Sequence, residues 1–255
     1  MYSLIDTHAH LEEIPNLEQA LSEAKTADIT AIIAVGMDYE TNQQALDFAR
    51  TYQGFVYPAL GLHPGNLAAS ELDRNLKFIE THIDKAIAVG EVGLDYHKGI
   101  RARADKDLQK HALKEVLKIA RAYKKPALIH SRYAWRDALT LVEEAQVEKA
   151  IFHWYTGPSS VLRDIIGRGY YISTTPAVEY HEEHRRAIKE SPLDKLLLET
   201  DSPVTYGRGR DFEFEARPVH ILKSLKGAAQ LKGMSEAEIA EITTANALNF
   251  FSLQR

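Results

Sequence analysis

Short apolar runs alternate with charged segments of helical periodicity along the chain. This alternation constrains the fold more than any other feature. The strand-like runs are Leu4 to Asp6, Ile29 to Val35, Val56 to Leu62, Ala86 to Val92, Ala127 to His130, Ala150 to His153, Tyr170 to Ser173 and Lys195 to Glu199. Runs of this kind suit strands buried on both faces of a parallel sheet. The clearest helical segment is Asp107 to Tyr123, where Leu108, Ala112, Val116, Ile119 and Tyr123 recur three or four residues apart. Further helices are expected over 17–27, 41–52, 72–82, 135–145, 159–166, 182–190, 218–231 and 235–251. Pro158 stands where a helix would start. Ser235, with Glu238 three residues on, reads as a capping box.

Eight strands alternating with at least as many helices in 255 residues predict an α/β fold, a (β/α)8 TIM barrel, with residues 1–255 as one domain. The rival is a doubly wound open sheet. Its dinucleotide-binding turn needs glycines after the first strand, and Asp6 to Leu11 contains none. With no cysteine in the sequence, disulfides and thiolate metal sites are excluded, and a reducing, cytoplasmic compartment is expected. No apolar run approaches the ~20 residues of a membrane span, and no secretory signal opens the chain. No membrane association or obligate protein partner is expected, and a monomer is. The net charge of −5 argues against a broad basic surface that coats duplex nucleic acid. It leaves room for a nuclease whose positive charge comes from bound cations or a few arginines.

In a barrel of this kind the active site gathers at the C-terminal ends of the strands. Polar residues that could bind metal collect there. Strand one ends in Asp6-Thr7-His8-Ala9-His10, strand three in Gly61-Leu62-His63-Pro64, and strand four in Glu91-Val92-Gly93-Leu94-Asp95. Strand five ends in His130-Ser131-Arg132, strand six in His153-Trp154-Tyr155, and strand eight in Glu199-Thr200-Asp201-Ser202-Pro203. Ordinary strand ends favour Ser, Asn, Asp and Gly, not repeated His and Glu. Side-chain alternation puts Asp6, His8 and His10 on one face, as it does Glu91, Gly93 and Asp95, and the pairs His130 with Arg132, His153 with Tyr155 and Glu199 with Asp201. This donor set exceeds the needs of one tetrahedral ion. Two ions about 3.5–4 Å apart, bridged by a carboxylate, would use it, and Glu91 is the best placed bridge. The nitrogen and oxygen donors suit Mg, Mn or Zn.

The combination Asp-Thr-His-Ala-His, Gly-Leu-His-Pro, Gly-Glu-Val-Gly-Leu-Asp-Tyr, Ile-His-Ser-Arg, Phe-His-Trp-Tyr-Thr-Gly and Glu-Thr-Asp-Ser-Pro resembles the TatD family of metal-dependent hydrolases, within the amidohydrolase-like barrel superfamily. The resemblance runs from Asp6 to about Pro203, with Asn246, Phe250 and Phe251 also matching the family's last helix. It implies a TIM barrel that hydrolyses phosphodiester bonds in DNA with two divalent cations, and an exonuclease acting on single strands is one form this activity would take. It implies that His8, His10 and Asp201 hold one ion, that Glu91 bridges, and that His130 and His153 hold the second. Asp201 or Glu199 would position or deprotonate the attacking water, and His63 and Arg132 would meet the substrate phosphate. No lysine stands in place of the bridging Glu91. Two departures concern substrate preference. Trp154-Tyr155 replaces the family's common Cys-Phe, and Tyr155 is expected to bond a substrate or stack on a base. The stretch Gly209 to Pro218 is longer and more charged than the family's usual run.

Other residues carry less. Asp6 is expected to support a histidine ligand from behind. Asp95 would either orient a ligand or cap the following loop. His181 and His184 are expected to be no metal pair, although His181 could line the cleft. His82, His97, His111 and His220 read as surface or packing residues, and Trp135 as core. Arg208, Arg210 and Arg217 would hold a nucleic-acid backbone or form surface ion pairs. The stretch Thr205 to Pro218 should lie as a loop over the active face. The same barrel could instead hydrolyse small amides, lactones or esters, or bind metal without catalysis.

Overall fold

The computed structural model describes residues 3–254. Met1, Tyr2 and Arg255 of the expected 1–255 domain lie outside the described residues. Eight parallel strands pair in chain order: β1 (Leu4–Ala9), β2 (Ile29–Val35), β3 (Val56–Leu62), β4 (Ala88–Asp95), β5 (Ala127–Arg132), β6 (Ala150–Phe152), β7 (Tyr171–Thr174) and β8 (Leu196–Leu198). Backbone hydrogen bonds from Asp201 N to His8 O (3.0 Å) and from His10 N to Ser202 O (2.8 Å) close the ring between the first and last strands. The result is the expected TIM barrel.

The helices around it are α1 (Leu17–Thr26), α2 (Tyr39–Thr51), α3 (Leu72–His82), a single turn α4 (Lys98–Arg101), α5 (Lys106–Ala122), α6 (Trp135–Glu144), α7 (Ser159–Gly167), α8 (Glu182–Glu190), α9 (Ile221–Lys232) and α10 (Glu236–Phe251). Their apolar stripes pack on the outer faces of the strands, where Leu4, Ile32, Leu60, Val89, Val92 and Ile129 are buried. The capping box of α10 forms as its sequence indicates: Glu238 N donates to Ser235 Oγ (3.3 Å), and Ser235 N donates to Glu238 Oε2 (2.9 Å). The expected helix over 218–231 starts later, because Pro218–His220 makes a tight 3-10 turn first.

A second apolar cluster fills the barrel interior. Ile5, Ile33, Ala59, Ala88, Leu128, Ile151, Tyr171 and Leu197 each come from a different strand, and Phe250 and Phe251 pack with them. Counting in steps of two from Ala59, Leu128, Ile151 and Leu197 reaches His63, His130, His153 and Glu199, which alternation therefore aims into the mouth. Counting from Ile5 and Ala88 would bring Thr7 and Val92 inward instead of His8 and Glu91. The pairing register shifts between Asp6 and Ala9 in β1 and between Val89 and Val92 in β4. Those irregularities turn His8 and Glu91 toward the site. Gly61 makes the second one possible, since a Cβ there would collide with the backbone of Gly90 and Glu91. Buried Asn42 fixes Gly61 by donating to its carbonyl (2.8 Å) and accepting from its N–H (2.8 Å).

The segment expected as a loop over the active face contains a short antiparallel pair, β9 (Thr205–Tyr206) and β10 (Phe214–Glu215). Tyr206 anchors it, its hydroxyl donating to Thr200 O at 2.9 Å. No helix among the described residues is long and apolar enough to cross a membrane.

Candidate metal centre

Glu91 is the centre of the donor cluster, at 2% exposure. Its Oε1 lies 2.7 Å from His153 Nε2, 2.8 Å from His130 Nδ1 and 3.7 Å from His63 Nε2. Its Oε2 lies 3.4 Å from His8 Nε2 and 3.5 Å from His10 Nε2. Asp201 Oδ1 completes that second group, 3.4 Å from His10 Nε2 and 3.6 Å from His8 Nε2. Asp201 has a left-handed backbone (φ 48°), tied to His8 by the bond that closes the barrel. One carboxylate thus has an oxygen facing each of two sets of donors.

The donors fit a cation. His8 Nε2 is buried and has no hydrogen-bond partner, as do His8 Nδ1, His10 Nδ1 and His153 Nδ1. Ligands bound at about 2.1 Å to one ion lie roughly 3–3.5 Å apart, close to the spacings around His8, His10, Glu91 and Asp201. Donor atoms of His8, His10 and Glu91 lie within 4.8 Å of one another, as do those of His8, His153 and Asp201 and those of His63, Glu91 and His130.

The electrostatics point the same way. Burial pushes the Glu91 carboxyl up, but the neighbouring histidines, His153 foremost, and the His130 bond outweigh it and hold it well below the usual range. Burial likewise opposes ionisation of Asp201, yet the His10 bond and the neighbouring histidines keep it ionised. Burial would lower His10, but the Asp201 bond and the Glu91 and Asp201 charges push it up to about 9. Burial lowers His63 to about 3, so its ring is neutral. Ionised carboxylates facing proton-attracting rings mark a spot that favours positive charge.

Behind these donors stands a supporting layer. Asp95 resolves its two alternatives by doing both. Its Oδ2 faces His130 Nε2 (3.3 Å) and Arg132 Nη2 (2.9 Å), while Oδ1 accepts from Arg132 Nε (3.1 Å) and from His97 N (2.8 Å). Arg132 is held this way with its side chain 48% exposed at the mouth. Asp6 Oδ2 accepts from the Thr200 hydroxyl (2.6 Å) and Oδ1 from Thr200 N (3.0 Å), which joins the ends of β1 and β8.

Two expectations are corrected. Glu199 does not face the water side of the cluster. It is fully buried, 4.0 Å from His8 Nδ1 and 3.5 Å from His153 Nδ1, and its Oε1 accepts from Trp154 N (3.0 Å). It braces two rings from behind. Tyr155 is fully buried as well, its hydroxyl donating to Pro158 O at 2.9 Å. Alternation fails there because β6 ends at Phe152 and Trp154 turns left-handed (φ 39°). Tyr155 therefore packs in the core and offers no face to a base. His63, expected at the substrate, has its Nε2 3.7 Å from Glu91 Oε1, beside the donor cluster.

Residues 5–252 match the family described as TatD related DNase. The chain belongs to this family. Human deoxyribonuclease TATDN3 is 32% identical, covering 97% of this chain and 94% of the human protein. The Bacillus subtilis protein YabD, named an uncharacterized metal-dependent hydrolase, is 33% identical and covers 98% of this chain and 99% of its own. The crystal structure of YJJV, a TatD homologue from Escherichia coli K12, superposes with a TM-score of 0.87 at 27% identity, covering 99% of both chains.

Glu12 belongs to none of the sequence motifs but joins the cluster in the fold. It lies 3.9 Å from His10 Nδ1, in a 3-10 turn after β1, and burial pushes its carboxyl up to about 7. The only sequence signal is its place two residues after the second histidine. His184 and His181 serve structure. His184 is buried between Tyr155 O and Thr175 N, while His181 caps α8. They form no pair. Arg217 bonds Glu23 (3.1 Å), and Arg210 stacks over Tyr180.

Proposed function

We propose that this chain hydrolyses phosphodiester bonds in DNA using two divalent cations at the barrel mouth. The observation that carries the reading is Glu91, with one oxygen facing His8 and His10 and the other facing His130 and His153. His8, His10 and Asp201 would hold one cation with Glu91, and His130 and His153 the other, with His63 in reach. Divalent cations in such a site neutralise phosphoryl charge and lower the pKa of a water.

The side chains supply the rest. Asp201, kept ionised, accepts the proton of the attacking water. Arg132 is immobilised on Asp95 with its guanidinium half-exposed, so it meets a phosphate oxygen without losing much side-chain freedom. Glu199 and Asp95 hold the imidazoles in fixed orientation. The N/O donor set supports Mg, Mn or Zn, with availability deciding among them. All donors come from one chain, so the reading needs no second subunit. We read residues 1–255 as one catalytic domain, placed in the cytoplasm on the strength of its cysteine-free sequence.

Purified protein loaded with Mg, Mn or Zn is expected to cleave end-labelled DNA, and Glu91→Ala to be inactive. Equal cleavage by wild type and Glu91→Ala overturns the reading.

A further inference from the structure

Among the described residues, Tyr133 is the most exposed of the large apolar side chains, at 61%. It follows Arg132 at the end of β5, on the active face. Its backbone is left-handed (φ 57°), a conformation that suits glycine or asparagine and is uncommon for a bulky residue. The chain therefore turns sharply after Arg132, and the phenol ring stands off the barrel. Its protein neighbours hold it loosely. The His97 ring lies 6.5 Å away with the planes 26° apart, and Trp135 meets it edge-on at 5.9 Å. The His97 distance is near the far end of the range over which rings attract, and Trp135 meets only an edge, so both faces of the Tyr133 ring stay largely uncovered. His97 is exposed too, and its backbone N–H is fixed by Asp95, the carboxylate that holds Arg132.

Phe212, the other exposed aromatic on this face (44%), is different. Tyr180 at 5.5 Å and the Arg210 guanidinium at 5.6 Å hold it within the loop after β8.

We propose that Tyr133, with His97 beside it, is a platform on which an unpaired nucleobase stacks while Arg132 holds a neighbouring phosphate. The inference rests on the DNA-hydrolysing reading above and adds a residue that selects unpaired strands. A nucleotide carries a flat base one sugar away from its phosphate. An exposed ring one residue from a fixed, half-exposed guanidinium matches that pairing of charge and π-face. A base within a duplex is stacked and paired and must be pulled out to reach the ring, whereas an unpaired base reaches it freely.

The test compares metal-loaded wild type, Tyr133→Ala and Tyr133→Phe on three labelled DNAs: a single strand, the same strand with abasic residues near the cleaved end, and a blunt duplex. Tyr133→Ala should raise KM on the single strand by about 5- to 100-fold, the range expected for losing one stacked base, with kcat little changed. Tyr133→Phe, which keeps the ring, should restore the wild-type KM. The gap between wild type and Tyr133→Ala should close on the abasic strand and narrow on the duplex. An unchanged KM for Tyr133→Ala on the base-bearing strand overturns the inference, and so does an equal loss on the abasic strand, which would mark a structural role. Wild type that cleaves none of the three DNAs overturns the underlying reading along with it.

Discussion

Glu91 Oε1 lies 2.7 Å from His153 Nε2, and the Nδ1 of the same ring faces Glu199 at 3.5 Å. His153 thus has a carboxylate opposite each ring nitrogen, close at Nε2 and more distant at Nδ1. Glu91 is shared with four other histidines, so its charge serves both donor sets. Glu91→Gln keeps the shape and removes the charge. It should lower bound metal, read by elemental analysis, and cut DNA cleavage by about 10³-fold, the scale of several kcal/mol of lost charge stabilisation.

Glu199 should behave otherwise, because it touches the rings and not the substrate side. Glu199→Gln is expected to weaken metal affinity by about 10–100-fold, as outer-layer changes do. Excess Mn²⁺ should restore most of its rate. Asp201→Asn removes a donor and the proton acceptor together, and excess metal should not restore it. Activity titrated against metal separates the two, and an identical response of both variants would refute the positioning role of Glu199.

The period of the chain made the barrel legible, since buried parallel strands and amphipathic helices leave different periodicities. The strand-end histidines were legible too. Strict alternation places His130 and His153 correctly but not His8 and Glu91, which reach the mouth through register shifts that no periodicity encodes. The same limit explains Tyr155. Two-residue spacing from His153 would aim it at the substrate, but the strand has ended and Trp154 reverses the chain. Glu199 and Asp201 both follow the end of β8 and both are buried, and the left-handed backbone of Asp201 (φ 48°) separates the carboxylate beside His8 and His10 from the one that braces the rings. Tyr133 carried no signal, because its position depends on a left-handed turn after Arg132.

Metal should stabilise the fold. The donors come from strands β1, β3, β4 and β5 and from the ends of β6 and β8, so a bound cation links distant parts of the chain. A ligand at about 100 times its Kd adds about 2.7 kcal/mol. For a chain of 255 residues that corresponds to a rise in Tm of roughly 5–10 °C. Scanning calorimetry with EDTA and with added Mn²⁺ or Zn²⁺ should show the difference. Superimposed transitions would count against a cation at this site.

His184 should make stability depend on pH apart from the metal site. Its Nε2 accepts from Thr175 N (3.1 Å), and its Nδ1 lies 3.0 Å from Tyr155 O, so the neutral ring donates there. Protonating Nε2 would break the bond from Thr175. Burial lowers the pKa from 6.5 to about 4. The unfolded chain therefore takes up a proton near pH 6.5, while the folded chain resists until about pH 4. The stability from this group is complete above about pH 6.5 and is lost as pH falls toward 4. Its full size is on the order of 3 kcal/mol, of which about 2 kcal/mol is gone by about pH 5. Urea unfolding of wild type and His184→Gln at about pH 7.5 and pH 5 isolates this contribution from that of the site histidines. The wild type should lose about 2 kcal/mol more than the variant over that interval, and parallel pH profiles would show that His184 titrates normally in the fold.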